Sequence, residues 1–338
     1  MGLIPVSVQA EEKIASSALR ELLNSGVSVE ELADDITSLL IGRDGRVLKW
    51  SAGRPRELTI HVIRSRAPMK SPDPKMESDV ERAKAAGLPD LARKTAHVIE
   101  SMMGQHWEVN FAEKRPSPPY KTDVYIVIHK LRRADKLKVN DVYGSFCPKI
   151  ACYSTRTATA GLSSRLYEDR KRDGWRENPY YDPERGPVGW VEVANGRGKR
   201  VLSLADTDTA HVAATVYASS QREISFSQCY AIHTENPRWL RAEFLECWLR
   251  SMGFVGSSEL FPQAVLGVRL PERKDYFLNG EAAVTVDEYA GKLPNDLHPL
   301  DVIALRVLGD SRIQAGMDEQ SVKPTVAKIL AQIKHTTH

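Results

Sequence analysis

Residues 242–254 read AEFLECWLRSMGF, an apolar, helix-like stretch with one carboxylate at its centre, Glu246, and a terminating glycine at Gly253. A glutamate in such a helix serves as general base in zinc hydrolases when histidines stand one residue before it and three after, on the face that holds the metal. Here those two positions are Leu245 and Leu249. Zinc ligands for Glu246 would therefore have to come from remote segments, with His211, His233, His298, Asp206 and Asp301 as the candidates. The densest ligand-capable run is ADTDTAH, with Asp206, Asp208 and His211. It also reads as a polar turn leading into a strand.

At about 100° per residue, Phe244, Leu245, Trp248, Leu249 and Met252 fall on one face of this helix and Glu246 on the other. Arg250 stands four residues after Glu246, the favourable order for a helical ion pair worth about 0.2–0.5 kcal/mol at a surface. The expectation is a core-packing helix with a solvent-side Glu246–Arg250 pair. Other chemistries lack their motifs. The chain has no GxSxG elbow, no GxxxxGK[ST] loop and no GxGxxG after a strand. A cysteine nucleophile would rest on Cys229, near His233 in sequence, or on Cys247; burial or disulfide bonding is the plainer expectation for both.

The chain has 338 residues, 42% hydrophobic and 27% charged, enough for one large or two ordinary globular domains. Its net charge of +3, from 47 basic and 44 acidic residues, is too small to imply nucleic-acid or membrane binding by the whole chain. No apolar run approaches the roughly 18 residues of a membrane span. Residues 1–10 end in a small-residue pattern, with Val8 and Ala10, that fits the tail of a signal segment or a plain irregular start. Cys147, Cys152, Cys229 and Cys247 allow three disulfide pairings in an oxidising compartment.

Residues 1–44 read as a helical hairpin split by NSGVS, its second helix capped at Ser28 with Glu30 and Glu31 in the first turn. A first folded part over 45–153 carries strands at VLKW, ELTIHVIR, WEVNF and DVYIVIH, and a helix over 78–104 that LPD interrupts. Residues 154–200 show no sustained period and read as an insertion. Their ten basic and seven acidic residues surround Tyr167, Trp175, Tyr180, Tyr181 and Trp190, so a single-stranded nucleic acid is an alternative ligand to set against a solvated loop. A second part over 201–338 holds a strand pair at 211–219 and 223–234, the glutamate helix, a helix at 300–308 and a last one from Pro324 to Lys334. Strands between helices imply an α+β architecture rather than a doubly wound parallel sheet.

This order resembles a family of exported bacterial proteins, the domain of unknown function numbered 2927, which is related to zincin metallopeptidases. VLKW followed by LTIHVI is similar to the family's opening segment, NFAEK and DVYIVIH to its turn and second strand, FLECWLRSMGF to its glutamate helix, and LHPLDVIALRVLGDSRIQAGM to its Asp-containing helix ending in Gly-Met. The resemblance covers about residues 45–335, interrupted by the insertion. It implies a zincin-like mixed sheet with a central glutamate helix. It matches Glu246 to the zincin glutamate, Asp301 to the acid of the later helix, and Gly316 and Met317 to the terminal pair.

With leucines at both helical ligand positions, the resemblance implies a scaffold without zinc catalysis: a binding or structural module, periplasmic or secreted, contacting protein or envelope polymer. No cofactor is expected on this reading. Zinc and a hydrolase site built around Glu246 are the alternative, as is a cytoplasmic location.

Overall fold

The computed structural model describes residues 6–41, 45–51, 54–63, 87–112, 122–130, 175–176, 190–195, 198–204, 212–218, 221–233, 237–267, 291 and 293–336. Helices and one sheet share a core in which residues from Ala15 to Ile333 pack together, so the architecture is α+β.

The amino-terminal helices are α1 (Val6–Asn24) and α2 (Val29–Leu40). At the start of α2 the Glu31 N–H donates to Ser28 Oγ at 3.1 Å and the Ser28 N–H donates to Glu31 Oε2 at 2.8 Å. This reciprocal cap satisfies two amides that the helix cannot pair internally. Strand β1 (Lys49–Trp50) and strand β2 (Arg56–Ile63) follow. Helix α3 (Leu88–Met103) begins just before Pro89, whose missing N–H costs nothing in a first turn. The LPD triplet therefore opens the helix; residues 78–86 of the expected 78–104 helix lie outside the described residues.

Beyond α3 come β3 (Trp107–Ala112), β4 (Val124–Lys130), β5 (Trp175–Arg176), β6 (Trp190–Asn195), β7 (Gly198–Leu204), β8 (Val212–Ala218) and β9 (Glu223–His233). Helices α4 (Pro237–Ser251), α5 (Pro299–Gly309) and α6 (Glu319–His335) complete the described elements. Helix α6 starts earlier than the expected Pro324, because Asp318 accepts the Ser321 N–H at 3.0 Å and caps it. Pro324 is exposed inside the helix, where water can satisfy the carbonyl that its missing N–H leaves unpaired.

The sheet is mixed, in the order β3-β2-β4-β9-β8-β7-β6-β5, with β1 also pairing β9. The half from β3 to β9 is parallel and the half from β9 to β5 antiparallel. Strands β5 and β6 and the start of β7 fall inside residues 154–200, so parts of the stretch that shows no period along the chain extend the sheet by antiparallel pairing. Ile60, Ile126 and Cys229 stand side by side in register and all are buried; the last is bonded to α4. Trp50, Trp107, Trp248 and Phe244 continue the core edge to face at centroid distances of 5.8, 6.4 and 5.5 Å, tying β1 and β3 to α4. Arg56 lies over the Trp50 ring at 4.4 Å and pairs with Asp123 at 3.2 Å.

Helix α1 packs on α5 and α6, and α2 packs on α6, so both ends of the chain build one helical layer. The Gly-Met pair takes part in this closure: the Gly316 N–H donates to the Val47 carbonyl at 2.8 Å, and the Val47 N–H to the Met317 carbonyl at 2.9 Å. Gly316 has φ +79°, which glycine adopts without strain. Lys49 spans the same turn, its Nζ donating to the Asp310 and Ile313 carbonyls at 2.8 and 2.7 Å.

Burial pulls the Lys49 ammonium down to about 8, against the nearby Asp310 carboxylate that favours its charge. The unfolded chain then holds more protons than the folded one between about pH 8 and 10.5. Stability supplied by this group should rise with pH across that window and be flat below it. Denaturant melts across the window should show that rise in the native protein and not in Lys49→Met; equal slopes in the two would exclude Lys49 as its source.

Candidate functional site

Helix α4 carries the candidate glutamate, and it differs from the amphipathic helix expected. Every residue from Ala242 to Ser251 is buried, including Glu243, Glu246 and Arg250. The Glu246–Arg250 pair forms, with Oε1 3.7 Å from Arg250 Nη2, but the two side chains are 1% exposed each and not on the solvent side. Leu245, Leu249, Phe244, Trp248 and Met252 are buried as well.

A cover over the polar face explains the difference. Just after α4 the chain turns back over the helix end, and Arg250 donates from Nη1 to the Gly256 carbonyl and from Nη2 to Ser257 Oγ, the latter at 2.9 Å. The Val255 and Gly256 N–H groups donate to the Leu39 carbonyl of α2 at 3.0 and 3.2 Å. A Cβ at Gly256 would stand 1.9 Å from the Ser38 carbonyl oxygen, so this approach requires glycine. Helical periodicity contains no information about that remote partner.

Two more buried carboxylates hold the same loop. Ser258 Oγ donates to Asp35 Oδ2 at 2.6 Å. Burial raises the Asp35 carboxyl above the usual carboxylate range, against the opposing effect of that hydrogen bond. Asp301 accepts the Val265 N–H at 3.1 Å, the Leu266 N–H at 3.0 Å and the His298 N–H at 2.8 Å, and is fully buried. It is at once the N3 residue of the α5 cap and the clamp on residues 265–266. His298 caps α5, its Nδ1 accepting the Leu300 N–H at 3.2 Å, and burial lowers its pKa. The structure thus engages Asp301 and His298 at the start of α5, where their hydrogen bonds go to backbone amides.

Of the remaining candidates, Asp206, Asp208 and His211 lie outside the described residues, as do Cys147 and Cys152. His233 ends β9. Among the described residues no group of three or more His, Cys, Asp or Glu is placed to hold a metal ion. The donor set on α4 does not fit a catalytic zinc: the two ligand positions are leucines, and the carboxylate beside them is in contact with a guanidinium.

Sequence reasoning missed Glu243. It is buried one turn before Glu246 and four residues before Cys247, so the three share a stripe of the helix.

Cys247 is bonded to Cys229 of β9 across 18 residues, with Cα atoms 5.6 Å apart, and both are buried. This is one of the pairings the cysteine count allows, and it excludes either sulfur as a free nucleophile. Closing a loop of this length stabilises a fold by about 3 kcal/mol in the chain-entropy picture. The Cys229→Ala/Cys247→Ala protein should lose about that much in urea titration. Peptide mapping without reductant should recover the two cysteines as one linked species; two free thiols would refute the bond.

The strand before α4 is interior to the sheet. Strand β9 is paired with β4 on one side and β8 on the other. No helix among the described residues is long and apolar enough to cross a membrane. No protein-family model, curated protein or solved structure matches this chain.

Proposed function

We propose that this chain is an exported, non-catalytic module on a zincin-like scaffold, binding protein or envelope polymer, in which Glu246 has become part of the core. The observation that supports this reading is the closed Glu246–Arg250 pair, 1% exposed on each side, with the arginine further engaged by Gly256 and Ser257. A general base must reach the proton it removes. This carboxylate is against a guanidinium and behind a loop that α2 holds in place.

The segments that carry the family resemblance also meet in space. The Gly316–Met317 pair is hydrogen-bonded to Val47 of the VLKW segment, and Asp301 holds the stretch that follows the glutamate helix. Export is supported by the buried Cys229–Cys247 bond, since such bonds persist in oxidising compartments. Contact with a partner by strand addition cannot use β9; the outermost described strands are β3 and β5.

The test is elemental analysis of protein purified without chelator, together with peptide hydrolysis by the native protein and by Glu246→Gln. The reading expects no stoichiometric zinc and no hydrolysis that depends on Glu246. One tightly held equivalent of zinc, with activity lost in the variant, would replace it by the hydrolase.

A further inference from the structure

The end of α5 opposite Asp301 closes on a turn that brings two cations together. Arg306 lies in the last turn of the helix and Asp310 is its C-cap. Asp310 Oδ1 accepts the backbone N–H of Arg312 at 3.0 Å, which bends the chain back, and the Nε–H of the same residue at 2.8 Å. Oδ2 accepts from Arg312 Nη2 at 2.8 Å and stands 3.6 Å from Arg306 Nη1. The hydrogen bonds from Arg312 hold the Asp310 carboxyl below the usual carboxylate range, so the group that aligns the two guanidiniums stays ionised.

Both guanidiniums line a small cleft between α1, α5 and α6. Unused donors gather there. Among the described residues the side chains of Arg306, Ser16 and Gln332 make no hydrogen bond, and neither does Arg312 Nη1. A hydroxyl inside a helix commonly donates to the carbonyl four residues back, as Ser251 does to Cys247 and Thr325 to Ser321, each at 2.8 Å. Ser16 is only 8% exposed and does not. The Gln332 carbonyl, at the negative end of α6, is already covered, since it accepts the Thr336 N–H at 3.1 Å and Thr336 Oγ1 at 2.9 Å. Of the carboxylates, Glu12 lines the cleft from α1 and is exposed, where water and salt screen it. Asp310 is committed to the arginines, and two guanidiniums against that one carboxylate leave a single positive charge.

We propose that this cleft binds a short-chain monocarboxylate, its carboxylate held by Arg306 and Arg312 with Ser16 and Gln332 as further donors. The single surplus charge matches a monoanion, and a planar carboxylate accepts two parallel bonds from a guanidinium. The other lining residues are Ala15, Ile329 and Ile333, which suit methylene groups and offer nothing to the additional oxygens of a phosphate. The site shares no residue with the Glu246 helix and adds a small-molecule ligand to the macromolecular binding proposed above.

The experiment is an NMR titration of the full-length, disulfide-bonded protein with sodium propionate, against sodium chloride of the same ionic strength, following arginine Nε–H and backbone amide resonances. Saturable shifts are expected at Arg306, Arg312, Ser16 and Gln332, and none at the exposed Arg93 of α3. Arg306→Gln should weaken propionate binding about tenfold, the loss of one charge-assisted interaction, and Ser16→Ala about threefold. Arg93→Gln should leave it unchanged. If Arg306→Gln does not fold, the wild-type titration and Ser16→Ala decide. Shifts that are absent, equal in chloride or shared by Arg93 overturn the proposal, as does unchanged affinity in a folded Arg306→Gln. Tighter binding of inorganic phosphate than of propionate overturns the carboxylate assignment.

Discussion

Replacing Glu246 with alanine should lower the unfolding free energy by about 3–5 kcal/mol, measured by urea titration, because it leaves the Arg250 guanidinium charged and buried without its carboxylate. Arg250 is 2% exposed, and its bonds to Gly256 and Ser257 offer dipoles but no counter-charge. Glu246→Gln should cost less, since the isosteric amide leaves no cavity and keeps a dipole beside the guanidinium. The double variant Glu246→Leu/Arg250→Met should recover much of the loss, as an apolar pair of similar volume removes both desolvation costs together. A double-mutant cycle would then yield a coupling energy well above the few tenths of a kcal/mol of an exposed helical pair. The sign of the single effect discriminates between roles. Residues kept for catalysis commonly cost stability, so a neutral or stabilising Glu246→Ala would return the carboxylate to the functional groups.

Asp301→Ala should be comparably severe, about 3–6 kcal/mol, for a different reason. Its fully buried carboxylate accepts three backbone N–H groups, from Val265, Leu266 and His298. Each buried donor left unsatisfied costs about 1–3 kcal/mol. Asp301→Asn retains one acceptor oxygen and should lose about half as much. Hydrogen exchange provides the local reading: the Val265 and Leu266 amides should lose protection in Asp301→Ala, and the α2 amides should not. If the α2 amides exchange equally fast, Asp301 supports the whole helical layer and not this loop.

These two carboxylates also show how far linear reasoning extends. The Glu246–Arg250 spacing indicates the pair, and the helical wheel identifies the apolar face of Phe244, Leu245, Trp248, Leu249 and Met252. Both are local, set by 3.6 residues per turn. Whether the opposite face meets water is decided by the Leu39 carbonyl, more than 200 positions away along the chain, accepting from Val255 and Gly256. The energetic value of the pair changes with it, from a surface contact to one whose breakage exposes a buried charge.

The strands divide in the same way. LTIHVI and VYIVI are rich in β-branched residues, and such runs announce strands without naming their neighbours. That β2 lies between β3 and β4, and β4 beside β9, is tertiary information. It is this order that sets Ile60, Ile126 and Cys229 side by side and buried.

By itself the sequence determined the start of α2 at Ser28 with Glu31 and the stop after α4 at Gly253, each set within one turn of its own helix by nearest neighbours along the chain; Pro89 and the His298–Asp301 cap act as locally, yet the first reads along the chain as a break and the second as a pair of ligand candidates. The tertiary structure alone decided which polar groups are enclosed: the cover over Glu246 and Arg250, the clamp of Asp301 on residues 265–266, the bond between Cys229 and Cys247, and the seat of Lys49 under Asp310 and Ile313. Enclosure depends on what arrives from elsewhere in the chain, and desolvation, unlike a helix cap, has no short-range signature.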